Sequence, residues 1–159
     1  MQDRFVVLAG IPGTGKSTYA RWLTEHHGFL HWDVDYQGMP TGEVLYRRPL
    51  VIDWGFPANE PGLTGCLDLI AQWQGTGAAL WWFDGDRAAA LASFLTRGTV
   101  AKSAWDYQIQ GIERNWDKIL RSVGSNRVGA ISSQGHKQPQ DIFHEMYGDQ
   151  STSGVPSRR

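Results

Sequence analysis

Only one cysteine, Cys66, occurs in the 159 residues. No disulfide framework and no cysteine-built zinc site can therefore hold the chain together, which fits a reducing compartment and gives the cytoplasm as the expected location. Cys66 itself reads as a small buried residue on a helix. There is no run of about 18 apolar residues that would cross a bilayer. The first residues, Met-Gln-Asp-Arg, lead straight into a short apolar strand without the long apolar region of a signal peptide, so no membrane partner is expected. An excess of charge of one sign is missing too. Lys plus Arg number 15 against 16 Asp plus Glu, a formal net charge of −1. No global field then draws the chain to nucleic acid or anionic lipid, and any anion site has to be local. The 5 histidines show no metal-ligand spacing.

What is present fits a globular α/β protein. Apolar residues make up 41% of the chain and charged ones 19%, which excludes disorder as the general state. The length favours a single domain, taken as residues 1–147, with a tail from Gly148 whose Ser, Thr, Gly and Pro predict mobility. Apolar runs at Arg4–Ala9, Leu50–Asp53, Ala78–Phe83 and Val128–Ile131 predict buried strands. Phe29–Asp35 alternates, with Leu30, Trp32 and Val34 on one side and His31, Asp33 and Asp35 on the other, as a further strand would. Helical spacing or composition covers Lys16–His27, Pro61–Gln74, Arg87–Arg97, Lys102–Ser122 and Pro139–Tyr147. The segment Tyr36–Pro49 reads as a loop with one short helical turn. Strands alternating with helices imply a five-stranded, mostly parallel sheet in a three-layer α/β fold.

Two features exceed ordinary usage: 19 glycines and 8 tryptophans. Part of the glycine excess sits in Gly10-Ile11-Pro12-Gly13-Thr14-Gly15-Lys16-Ser17, two glycines spaced for a phosphate-binding loop and followed by Lys and Ser. A match of this kind arises by chance in roughly one sequence of this composition in a hundred or fewer, and here it lies between a strand and a helix, as the motif requires. The chemistry accounts for the residue types. The glycines let successive backbone N–H groups turn inward around a phosphate at the positive end of the following helix. Lys16 is placed to reach the β- and γ-phosphates, and the Ser17 hydroxyl to ligate Mg²⁺. Gly10, Pro12, Gly13, Thr14, Gly15, Lys16, Ser17 and Thr18 are thus the expected ATP contacts.

On these residues the sequence resembles the small P-loop kinases of the AAA-type ATP-binding group, with polynucleotide-kinase-like, zeta-toxin-like and antibiotic-phosphorylating members. The resemblance covers roughly residues 3–147 and implies a nucleoside/nucleotide-kinase-like P-loop NTPase fold. In open α/β sheets ligands lie beyond the carboxyl ends of strands, so the residues after each strand carry the rest. Asp33 and Asp35 resemble the group's catalytic carboxylates, with Asp35 as the expected base for the acceptor hydroxyl and Asp33 as the other candidate or a magnesium contact through water. Asp53, ending an apolar strand, has the Walker B form suited to Mg²⁺ or its water. The stretch Asp53-Trp54-Gly55-Phe56 looks like the segment bordering the acceptor pocket in bacterial predicted kinases; Trp54 and Phe56 suit acceptor stacking and core packing equally. The resemblance makes Arg97 the lid arginine over the transferring phosphoryl, with Arg114 a second candidate and a short lid at Gly98–Ser103. It also places Ser132–His136 beside the adenine.

Two departures bear on the acceptor. The helix at Pro61–Gln74 contains no basic residue, and the lid has only Lys102. Both weigh against a strongly anionic acceptor, although Arg47 and Arg48, in the expected acceptor loop at residues 36–49, are possible substitutes. Trp32, Trp54 and Trp82 lie near strand ends, where a planar acceptor would bind; Trp105 and Trp116 read as packing residues. The leading expectation is an ATP- and Mg²⁺-dependent kinase acting on a hydroxyl of a small molecule. The alternatives are a polynucleotide 5′-hydroxyl kinase, disfavoured by the net charge, and a nucleotide-dependent switch or ATPase without an acceptor.

Overall fold

The computed structural model describes residues 4–55, 62–98 and 100–148. Phe56, Pro61, Thr99 of the expected lid and the tail from Asp149 lie outside them. A single sheet carries six strands in the order β2-β3-β1-β4-β5-β6: β1 Phe5–Gly10, β2 Leu30–Asp33, β3 Leu50–Asp53, β4 Ala79–Gly85, β5 Arg127–Ser132 and β6 Gly135–His136. The first five run parallel, and β6 pairs antiparallel with β5, joining Ile131 to His136 and Ser132 to Gly135. The expected five-stranded sheet therefore gains a sixth strand, which at two residues is too short for a periodicity signal.

The continuous apolar strands are explained by helices on both faces of the sheet. Phe5, Val7 and Ala9 of β1, with Leu50, Ile52, Leu80 and Trp82, face α4 (Gly62–Gly75), α5 (Arg87–Thr96), α6 (Lys102–Arg114) and α7 (Trp116–Val123). Val6 and Leu8, with Val51, Trp81 and Phe83, face α1 (Lys16–His27) and α8 (Pro139–Tyr147). Alternate residues of one strand thus enter opposite cores. Cys66 is buried in the first of these, on α4 as expected. The strand order reverses beside β1, which opens a crevice at its carboxyl end.

Two elements differ from the sequence reading, and one short turn is as expected. The alternating run Phe29–Asp35 stops as a strand at Asp33, whose Oδ1 accepts from the Tyr36 N–H at 3.3 Å and so caps a short helix, α2 (Val34–Gln37). Asp35 therefore projects from a helical turn, not from the strand face it was assigned by alternation. The Tyr36–Pro49 segment does contain one further turn, α3 (Gly42–Leu45). The helix read as Lys102–Ser122 is two helices that break at buried Asn115, where Nδ2 donates to the Gly111 carbonyl at 2.9 Å. The apolar stripe continues through the break: Trp105 packs on Phe94 with centroids 5.7 Å apart, and Trp116 meets Trp82 edge-on at 5.5 Å. Leu120, read as part of that stripe, is exposed. Among the described residues no helix is long and apolar enough to cross a membrane.

Candidate active site

The loop after β1 is anchored from several sides. The Ile11 N–H donates to the Phe83 carbonyl at 2.9 Å, while the Ile11 carbonyl accepts from the Thr14 hydroxyl at 2.7 Å and from the Lys16 ammonium at 3.2 Å. Gly13 sits at φ +82°, and a Cβ there would fall 2.2 Å from the Ala90 carbonyl of α5. Only glycine lets the loop lie so close to that helix. Lys16 opens α1 and is buried. Burial lowers its ammonium pKa and the Arg97 charge adds to this, opposed by Asp53, Asp35 and Asp33.

Two clefts flank this loop. One, of about 200 Å³, is lined by Pro12, Gly13, Lys16 and Ser17 from the loop, by Asp33, Asp35, Asp53 and Gly55 from the ends of β2, α2 and β3, and by Phe94, Arg97 and Gln108 from the helices opposite. All four residues expected to be catalytic, Lys16, Asp33, Asp35 and Arg97, thus meet in one cavity with both expected metal contacts, Ser17 and Asp53. The second cleft, also about 200 Å³, lies behind Thr14, Gly15 and Thr18, with Tyr19 and Ile142 as apolar walls and His136–Pro139 along its edge. The expected base-side loop contributes here through its last residue, His136, and the three residues after it. Gly10 ends β1 beneath the loop and lines neither cleft.

The carboxylates occupy different settings. Asp53 is buried, and its Oδ2 accepts from the Ser17 hydroxyl; His31 Nε2 lies 3.5 Å from the same oxygen. Burial pushes the Asp53 carboxyl up, but the imidazole, the Lys16 ammonium and the Ser17 hydroxyl outweigh it and hold the pKa below the usual range. Ligating atoms of His31, Asp33 and Asp53 all lie within 4.8 Å of one another. Together with the Ser17 hydroxyl, this set is dominated by hard oxygen donors and suits Mg²⁺. Asp35 stands on the other side, its Oδ2 accepting from the Gly55 N–H at 3.0 Å. Desolvation in the cleft pushes its carboxyl pKa up, the Gly55 N–H pulls it down, and the Asp33 and Asp53 charges push it up again, leaving it raised.

Several sequence candidates fall elsewhere. Arg47 and Arg48 precede β3 and so lie at the amino end of the parallel sheet, opposite the cleft; Arg48 covers the Phe5 ring at 4.5 Å and donates to the Leu45 and Arg47 carbonyls. They do not substitute for missing acceptor arginines. Arg114 is exposed at the end of α6 and is not part of the cleft lining. Lys102 is the first residue of α6 and pairs with Asp106 at 3.0 Å. Trp54 and Trp82 are core residues, Trp54 packing on Trp73 at 5.9 Å. Trp32 stays near the surface and donates from its indole to the Gly38 carbonyl at 2.8 Å. Gln108, Phe94 and the contact made by Gly55 were missed, and so was His31, which sequence spacing excluded as a ligand but which the fold brings beside Asp33 and Asp53. Gln108 had a signal, because a polar residue stands between Trp105 and Ile112 on the buried stripe of α6.

No family model matches the chain, and no curated protein sequence matches it. Solved structures do. A gluconokinase from Sinorhizobium meliloti is 16% identical at a TM-score of 0.53, the match covering 91% of this chain and 90% of that one. The shikimate kinase from Acinetobacter baumannii in complex with shikimate is 14% identical at a TM-score of 0.57, over 92% of this chain and 94% of that one. The shikimate kinase from Bacteroides thetaiotaomicron is 15% identical at a TM-score of 0.54, over 79% and 85%. The chain therefore has the fold of these small P-loop kinases, the broad group its sequence resembles; the polynucleotide-kinase-like and zeta-toxin-like subtypes named for that resemblance gain no support from these structures.

Proposed function

We propose that this chain is an ATP-dependent phosphotransferase that moves the γ-phosphoryl of ATP to a hydroxyl of a small molecule, with residues 1–147 as the functional unit. The observation that carries this reading is the meeting of the loop lysine with Asp33, Asp35 and Arg97 in one cleft. The fold is that of a gluconokinase and of shikimate kinases, one of them in complex with shikimate, and this supports a small-molecule acceptor.

In this mechanism the adenine side of ATP lies in the cleft of Tyr19, Ile142 and His136, and the phosphates lie along the glycine loop at the N-terminus of α1. Ser17 and Asp53, with Asp33, would hold Mg²⁺ or its water, and the ion would supply positive charge against the phosphate oxygens. Asp35 accepts the proton of the acceptor hydroxyl as that oxygen forms its bond to the γ-phosphorus and the bond to the ADP oxygen breaks. Lys16 and Arg97 stabilise the negative charge on the transferring group. A switch needs no base for an alcohol, so the placement of Asp35 beside the phosphate loop favours the kinase over the switch.

The test separates binding from transfer. Lys16→Ala should lose phosphoryl transfer while the protein remains folded, whereas Asp35→Asn should lose transfer and keep ATP affinity, measured by calorimetry. Full transfer in Asp35→Asn would remove the base assignment.

A further inference from the structure

The two carbonyls at the front of the phosphate loop are held in different ways. That of Ile11 is held from within, by Thr14 and Lys16. That of Gly13 is approached by His136 Nε2 at 3.0 Å, from a strand 123 positions further along the chain. A carbonyl can only accept, so Nε2 carries the hydrogen and donates it; Ser93 Oγ of α5 lies 3.3 Å from the same nitrogen. His136 is exposed, while its bond to the Gly13 carbonyl is partly buried. The strand bearing it is two residues long and is tied back by the Lys137 N–H to the Ala130 carbonyl at 2.8 Å. The imidazole also lies 3.1 Å from where a Gly15 Cβ would stand.

We propose that His136 is a positioning residue of the phosphate loop, orienting the Gly13–Thr14 peptide so that the Thr14 N–H is presented to a nucleotide phosphate. Because a trans peptide is planar, its N–H points opposite to its carbonyl. Fixing the Gly13 carbonyl on His136 therefore fixes the Thr14 N–H facing away from it. The proposal rests on the phosphotransferase reading, since it supposes a polyphosphate ligand in that loop. It assigns the base-side hairpin a second task, linking the wall of one cleft to the anion cradle between the two.

The test uses the native protein, His136→Phe, which keeps an aromatic wall without a donor, and His136→Gln, which restores a donor. Affinities for ATP, inorganic triphosphate and adenosine are measured by calorimetry, with a thermal melt of each variant. The loss of one hydrogen bond should weaken ATP and triphosphate about 5- to 10-fold in His136→Phe. Adenosine should lose clearly less affinity than ATP and triphosphate, the melting temperature should fall by no more than a few degrees, about one hydrogen bond's worth, and His136→Gln should return ATP affinity most of the way to native. Unchanged ATP affinity in His136→Phe would overturn the proposal, and so would an equal loss for adenosine, which would make His136 only a wall of the base cleft. If the native protein binds ATP and His136→Phe binds it equally well, this proposal falls alone. If the native protein binds neither ATP nor triphosphate, the phosphotransferase reading falls with it.

Discussion

Asp35 and Gly55 form a bonded pair in the wall of the cleft, on the side proposed for the acceptor. A Cβ added at Gly55 would stand 2.7 Å from Asp35 Oδ2, closer than any side-chain carbon approaches, so the carboxylate has to move. Gly55→Ala should therefore lower kcat by about 10- to 100-fold, the range for a misplaced catalytic group, and leave ATP affinity native; a native kcat would show that Asp35 is not held by this contact. The raised pKa of Asp35 fixes the sign of a pH effect. A base acts when ionised, so kcat should fall as pH drops through a value above the usual carboxylate range, and Asp35→Asn should remove that acid limb together with the activity. A carboxyl whose pKa is raised by folding costs stability once pH exceeds its unfolded value, so Asp35→Asn should melt no lower than the native protein at neutral pH. That the glycine loop, Asp33, Asp35 and Asp53 meet in one cleft was legible from short patterns at strand ends, and the place of Arg97 from the family resemblance; their roles belong to the proposed function. Gln108 and the contact at Gly55 were not legible, since each depends on which segment of chain packs opposite.

Helix α5 shows how an element delivers a residue to the cleft. Asp86 caps its start, Oδ1 accepting from the Ala89 N–H at 2.8 Å. Ala90 and Phe94 pack beneath the phosphate loop, and Arg97 ends the helix in the cleft. Removing the cap with Asp86→Ala should cost about 1 kcal/mol of stability, read from denaturant unfolding; an unchanged midpoint would mean that packing alone sets the start of the helix. Existence and type of the longer elements followed from periodicity, and their ends from local chemistry that periodicity does not carry. An alternating pattern continued past Asp33 because Val34 is buried in a helical turn just as it would be in a strand. The stripe of α6 and α7 hid their break because Trp116 and Ile119 keep the spacing across Asn115. Strand β6 has no pattern at all; only its pairing with β5 defines it.

For the whole molecule, the parallel sheet with helices on both faces was legible because buried strands leave continuous apolar runs, and here they do so in β1, β3 and β4. The position of Arg47 and Arg48 was a matter of strand direction, since residues that enter a parallel strand lie at the far end from those that leave it. The reversal of strand order beside β1 brings the ends of β1, β2 and β3 to one crevice, and the account stands on that crevice being a phosphoryl-transfer site. The most direct test is a panel of small hydroxyl compounds incubated with Mg·ATP and either native protein or Asp35→Asn, with phosphorylated product and ADP both quantified. The account predicts product in equal amount to ADP with at least one acceptor for the native protein, and none for Asp35→Asn although it binds ATP as tightly. Absence of a phosphorylated product across the panel with ATP bound, or undiminished transfer by Asp35→Asn, would contradict it.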